Sequence, residues 1–164
     1  MYYFSYGSNM SIRRLLERIS SAKKLGTATL HGHELKFHKI SEKDNTAKCD
    51  AFETSDPEHK VIGVVFEIHS HEKPVLDKFE GLGHGYEEKY VHVELEEGNL
   101  IEVFTYYAIK IDSALKPFHW YKEHVLIGAQ ENGLPETYIR KIESVESIDD
   151  HDEERHEMEL IIYR

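Results

Sequence analysis

Tyr2-Tyr3-Phe4-Ser5-Tyr6-Gly7-Ser8-Asn9-Met10-Ser11 carries a strand, a turn and a helix start in one short run. Tyr2 to Ser5 are aromatic and β-prone, which predicts a short buried strand almost at the start of the chain. Gly7-Ser8-Asn9 is turn chemistry and breaks it. Ser11 offers a side-chain oxygen as N-cap for a helix over residues 12–19, with Leu15, Leu16 and Ile19 on one face. A glycine-bearing turn therefore stands between a strand and a helix.

Strand signals dominate outward from this run. Residues 22–40 alternate through Leu25, Thr27, Thr29, Leu35 and Phe37, with bends expected at Gly26 and Gly32. Residues 41–48 read as a polar loop and residues 49–54 as a strand closed by Asp56-Pro57. The apolar run at 61–68, VIGVVFEI, is the strongest strand signal. Ser70 is a candidate cap for a short helix through Phe79, with Pro74 allowing a later start and Gly81 ending it. Residues 81–85, GLGHG, read as a flexible loop. Residues 86–95 and 100–109 read as a hairpin around Glu97-Gly98-Asn99. Helices are expected at 119–130 and from Pro135 to about 142, before an acidic tail from about 146 whose last residues, Glu159 to Tyr163, dock as a strand or short helix. Strands, one helix, more strands and then helices make an α+β chain, with a barrel or strongly curved sheet flanked by helices.

Composition narrows the function classes. With 164 residues and no visible linker or repeat, one domain spanning 1–164 is expected. A formal net charge of −11 and no basic stripe argue against nucleic acid as a partner. Cys49 is the sole cysteine, so no internal disulfide exists and a reducing, cytoplasmic setting is expected. Neither a signal peptide nor a membrane-spanning run is visible.

Two places carry candidate chemistry. In Tyr6-Gly7-Ser8-Asn9, Gly7 lets a ligand approach the main chain, Ser8 and Asn9 add polar side chains, and a strand-to-helix turn aims N–H groups at one point, which suits a carboxylate. Glu80 stands at the C-terminus of its short helix, where the helix dipole disfavours a negative charge and raises its pKa. An ordinary turn and a solvated surface glutamate would show the same residues. The tyrosines Tyr86, Tyr90, Tyr106, Tyr107 and Tyr121 are pocket or core candidates, and strand alternation lets only one of Tyr106 and Tyr107 face inward. The histidine pairs at 31/33 and 69/71 lack the spacing of a zinc site, and Cys49 has no nucleophile signature.

Tyr3-Phe4-Ser5-Tyr6-Gly7-Ser8-Asn9-Met10 resembles the opening signature of the gamma-glutamylcyclotransferases. Leu76-Asp77-Lys78-Phe79-Glu80-Gly81, with Tyr86 soon after, resembles the family's acidic motif. Tyr121 and then Ile127-Gly128-Ala129-Gln130-Glu131-Asn132-Gly133-Leu134-Pro135 resembles a stretch typical of the branch acting on γ-glutamyl amino acids. The resemblance implies a small mixed β-barrel flanked by helices. It implies cyclisation of a γ-glutamyl amide to 5-oxoproline, with release of an amino acid or amine and without a cofactor or metal. Carried onto this chain, it makes Glu80 the acid/base and the turn at Tyr6, Gly7, Ser8 and Asn9 the cradle of the substrate. Tyr86, Tyr107 and Tyr121 become substrate-binding tyrosines, with Tyr107 preferred to Tyr106 for its spacing to Tyr121. The partner is a small γ-glutamyl molecule, not nucleic acid or membrane, and a homodimer stays open.

The chain also departs from the family. Relatives carry a glycine-rich element where this sequence reads Ala47-Lys48-Cys49-Asp50-Ala51-Phe52. Glutathione-specific relatives usually carry a hydrophobic residue after Tyr-Gly-Ser, where this chain has Asn9. Alternative readings are a γ-glutamylamine cyclotransferase, a non-catalytic binding module on the same scaffold, and a metal-dependent hydrolase.

Overall fold

The computed structural model describes all 164 residues. Its centre is a closed five-stranded barrel built from β1 (Tyr2–Ser5), β5 (Lys60–Glu67), β2 (Lys23–His31), β6 (Tyr86–Leu95) and β7 (Leu100–Ala108), in that order. β1 pairs antiparallel with β5 and meets β7 in parallel at Tyr3 and Phe104, which closes the ring and makes the sheet mixed. β6 and β7 form one long hairpin, from Tyr86 opposite Ala108 to Glu94 opposite Leu100. A separate hairpin, β3 (His33–Ser41) and β4 (Thr46–Glu53), lies beside the barrel. Closure leaves the barrel without a free strand edge.

The aromatic start of the chain is buried for a packing reason. Phe4 and Phe66 are 0 % exposed and Phe104 1 %; Phe66 and Phe104 lie on the face of the sheet that carries Tyr3, and Phe4 is buried on the other. Each contributes on the order of 1.5–3 kcal/mol by leaving water. β1 and β5 approach so closely that a Cβ added at Gly63 would stand 2.3 Å from the carbonyl oxygen of Ser5. The register thus depends on glycine at that position.

Five helices cover the barrel: α1 (Ile12–Arg18), α2 (Lys73–Glu80), α3 (His119–Glu131), α4 (Glu136–Glu143) and α5 (Glu153–Leu160). Ser11 caps α1 by accepting from the Arg14 N–H, as its position predicts. Ser70 does not cap α2. It opens a 3-10 turn through Glu72, and Glu72 then leads into the helix with Pro74 in the first turn, where a missing N–H costs nothing. Gly81 ends α2 in the left-handed region at φ 72°, which glycine adopts without strain. The expected loop at 41–48 is shorter, because Ser41 closes β3 and Thr46 already opens β4. The acidic tail is folded rather than loose: α5 and a 3-10 turn at Ile161–Tyr163 pack on α1 and α3. No helix is long and apolar enough to cross a membrane.

Candidate active site

The end of β1 and the end of α2 meet at one cavity. β1 stops at Ser5, and the Tyr6 hydroxyl donates to the Tyr106 carbonyl at 2.6 Å, which nails the following turn to β7. Ser8–Met10 then form a 3-10 turn, closed by the Met10 N–H donating to the Gly7 carbonyl at 3.1 Å. The Gly7 N–H makes no hydrogen bond within the chain. A Cβ at Gly7 would stand 3.2 Å from the Cys49 Cβ and 3.5 Å from the Tyr121 hydroxyl, so a side chain there would crowd the cavity wall.

Glu80 arrives from the other side. Leu76 is fully buried and anchors α2, leaving the last residue of the helix at the cavity. The Asn9 side chain donates to Glu80 Oε1 at 2.6 Å and lies 3.3 Å from the Tyr3 hydroxyl. Arg18 donates to Asn9 Oδ1 at 3.2 Å, which orients the amide with its NH2 toward the carboxylate. Burial pushes the Glu80 pKa up, while the charges of Arg18, Arg14 and Lys39 and the Asn9 hydrogen bond restrain the rise. The result is a more basic carboxylate that still has groups stabilising its ionised form.

β4 forms the third wall. The Tyr86 hydroxyl donates to the Cys49 carbonyl at 2.5 Å, and the Cys49 N–H donates to the Tyr121 oxygen at 2.9 Å. One strand residue is thus held between two tyrosines. Burial pushes the Cys49 thiol up to about 12, so it stays protonated and is no nucleophile at neutral pH. The Cys49 side chain narrows the cavity beside Gly7.

The structure brings Tyr6, Gly7, Ser8, Asn9, Glu80, Tyr86 and Tyr121 to this one cavity. Tyr107 is not there. Tyr106 takes its place, 2 % exposed, stacked edge-on against Tyr3 and Phe104 and donating to Asp77 at 2.6 Å. Tyr107 points to the opposite side of β7, half-buried, with the Lys89 ammonium over its ring at 5.3 Å. Strand alternation decides this, and spacing along the chain to Tyr121 does not. Tyr90 is exposed on the barrel surface. Tyr3, Ser5 and Thr105 also line the cavity and escaped the sequence reading. Tyr3 and Ser5 sit inside the quoted motif, and their period-two relation along β1 was the available signal. Arg18 escaped too, since only the folded α1 brings it to Asn9.

The loop at 81–85 is tied down. Gly83 N–H donates to Tyr86, His84 and Gly85 N–H donate to Gly81, and the Ile109 N–H on the β7 side donates to Gly85. This fixes the distance between the end of α2 and Tyr86.

Comparison with known proteins places this arrangement. The AIG2-like family pattern matches residues 60–142, which includes Glu80 and Tyr86. The gamma-glutamylcyclotransferase of Bos taurus is 34 % identical over 165 residues, covering 98 % of this chain and 86 % of that protein. The gamma-glutamylcyclotransferase of Mus musculus is 33 % identical over 168 residues with the same coverage. A solved gamma-glutamyl cyclotransferase structure superimposes with a TM-score of 0.88 at 30 % identity, covering 99 % of this chain and 98 % of that one. By sequence along almost its whole length and by fold, this chain belongs to the gamma-glutamylcyclotransferases, enzymes of the AIG2-like family.

Proposed function

We propose that this enzyme converts γ-glutamyl amino acids to 5-oxoproline and the free amino acid, with Glu80 moving the proton. The observation that carries the reading is the 2.6 Å contact between Asn9 and Glu80 in a wall shared with Gly7 and Ser8. A carboxylate base and a main-chain turn thus face the same small space.

The chemistry follows from that placement. The turn at Tyr6 to Asn9 holds the α-carboxylate of the glutamyl group, for which the unpaired Gly7 N–H is one donor. Glu80 takes a proton from the α-amine. The freed amine attacks the γ-carbonyl carbon, forming the ring C–N bond and a tetrahedral oxyanion. Glu80 returns the proton to the leaving nitrogen, the scissile C–N bond breaks, and the carbonyl re-forms. One carboxylate serves both nitrogens because both are bonded to the same carbon at that moment. Ring closure is intramolecular, so the enzyme's work is to freeze one rotamer and shuttle one proton.

The test is 5-oxoproline release from a panel of γ-glutamyl amino acids, γ-glutamylamines and glutathione by wild type and Glu80→Gln. Release by wild type and a loss of about 10²–10⁴-fold in the near-isosteric variant is expected. Undiminished release by Glu80→Gln would remove Glu80 from the mechanism. No release from any compound by a folded protein that binds 5-oxoproline would favour a binding module.

A further inference from the structure

Just outside the catalytic cavity the wall changes sign. The chain as a whole carries a net charge of −11. Yet an outer chamber of about 220 Å³, which shares Ser8, Glu80, Tyr86 and Tyr121 with the inner cavity, is edged by Arg14, Arg18, Lys39, Lys43 and Lys48. Apart from Glu80, its carboxylates are Asp44 and Glu159, and both are occupied. Lys48 pairs with Asp44 at 3.1 Å and Arg14 with Glu159 at 2.7 Å.

Arg18 and Lys39 have no such partner. Arg18 gives one N–H to Asn9 and lies 5.0 Å over the Phe79 ring. Lys39 lies 4.7 Å over the Tyr86 ring. Its stem runs against Gly85, where an added Cβ would stand 2.6 Å from Lys39 Cε, so the glycine makes room for this ammonium. Burial lowers the pKa of both cations, so neither is a loosely solvated surface charge. Lys43 stands exposed at the rim. Both cations feel the shared charge of Glu80 but make no direct ion pair, so a bound anion offsets part of the cost of burying them.

We propose that this chamber receives the leaving half of the substrate and selects a leaving amino acid that carries a second carboxylate, making γ-glutamyl dicarboxylic amino acids such as γ-glutamyl-glutamate the preferred substrates, with Lys39 as the specificity determinant. The inference rests on the cyclotransferase reading. The glutamyl half occupies the turn, and Glu80 marks the scissile amide at the boundary of the two chambers. The leaving half then extends into the outer one. An amine leaving group brings no carboxylate and a neutral amino acid brings one. A dicarboxylic amino acid matches the two cations that make no direct ion pair. The net negative charge of the chain disfavours such an anion, and the cations at this mouth attract it.

The experiment compares kcat/KM for γ-glutamyl-glutamate and its neutral isostere γ-glutamyl-glutamine in wild type, Lys39→Gln and Lys39→Glu, with unfolding temperatures confirming that each variant folds. Wild type is expected to favour the glutamate peptide about tenfold, a preference that shrinks with added salt. The ratio falls toward one in Lys39→Gln and below one in Lys39→Glu. Using the ratio cancels any effect of Lys39 on Glu80 that both peptides share. A wild-type ratio of one, or a ratio that neither variant moves, overturns the proposal. If neither peptide yields 5-oxoproline, the cyclotransferase reading fails on its own account. Calorimetric binding of the same two peptides then decides the preference: tighter binding of the glutamate peptide upholds it, and equal or absent binding overturns it.

Discussion

Asn9 stands between Arg18 and Glu80, accepting from the guanidinium at 3.2 Å and donating to the carboxylate at 2.6 Å. The amide transmits the orientation of a cation on α1 to a carboxylate at the end of α2. Both side-chain polar ends of a 2 % exposed residue are thereby satisfied.

Removing that amide should therefore be felt at Glu80. Asn9→Ala deletes a hydrogen bond that favours the ionised carboxylate, so the Glu80 pKa rises further. The acidic limb of kcat/KM is expected to move to higher pH, with a loss of about 10- to 100-fold near neutrality, the range for a hydrogen bond to a charged group. A pH–rate profile checks it, and an acidic limb left where it was would show that Asn9 does not tune the base.

Glu80 should also cost the enzyme stability. Its folded pKa lies above the ordinary carboxylate value because of burial. Between those two values the folded state holds a proton that the unfolded state has released, so stability falls as pH rises through that window. Glu80→Gln removes the penalty and is expected to melt higher than wild type at pH 7, with the gain vanishing once pH drops below the normal glutamate range. Thermal unfolding of both proteins from pH 4 to 8 tests this. A variant that melts lower at pH 7 would contradict it.

Tyr106 and Tyr107 offer a paired comparison. Tyr106→Phe removes the 2.6 Å bond to Asp77 within the cavity wall and is expected to cost about 1 kcal/mol of stability and to lower kcat/KM. Tyr107→Phe is expected to stay within about 0.5 kcal/mol of wild type with normal turnover. Urea unfolding and steady-state kinetics on the two variants measure both effects. Equal loss in the two would mean that the side of β7 does not decide the role.

The docking of α5 carries its own pH dependence. His124 is 0 % exposed on α3, with Nδ1 2.6 Å from the Tyr163 hydroxyl and Nε2 2.9 Å from both Glu159 and the Arg14 guanidinium. Burial, aided by the Arg14 charge, holds its pKa down to about 4 from the usual 6.5. The Arg14 pairing and the His124 hydrogen bond keep Glu159 ionised to about pH 2, so Glu159 does not titrate in this window. Below pH 6.5 the unfolded chain takes up a proton that folded His124 refuses until about pH 4, so stability falls as pH falls across that range. His124→Gln is expected to flatten this part of the melting-temperature profile. An unchanged slope would assign the acid sensitivity to other groups.

The sequence by itself determined the local elements and the shortlist of reactive groups. The aromatic run at 2–5, the glycine turn and the Ser11 cap are local chemistry, and each appears where its residues demand it. The 86–95 and 100–108 hairpin follows from alternation on either side of a Gly-Asn turn. The motif around Tyr6 to Asn9 and the helix ending in Glu80 were legible as a resemblance to the family's motifs. The tertiary structure alone decided which of these groups meet. Asn9 and Glu80 are 71 positions apart, and only the fold, which brings the turn after β1 to the end of α2, sets them 2.6 Å from each other. The choice of Tyr106 over Tyr107 depended on which side of β7 faces Tyr3. The cations of the outer chamber come from α1, β3, the loop after it and β4. Their sign stood out against an acidic chain only after the fold had gathered them beside Glu80, because charge acts through distance in space and not along the chain.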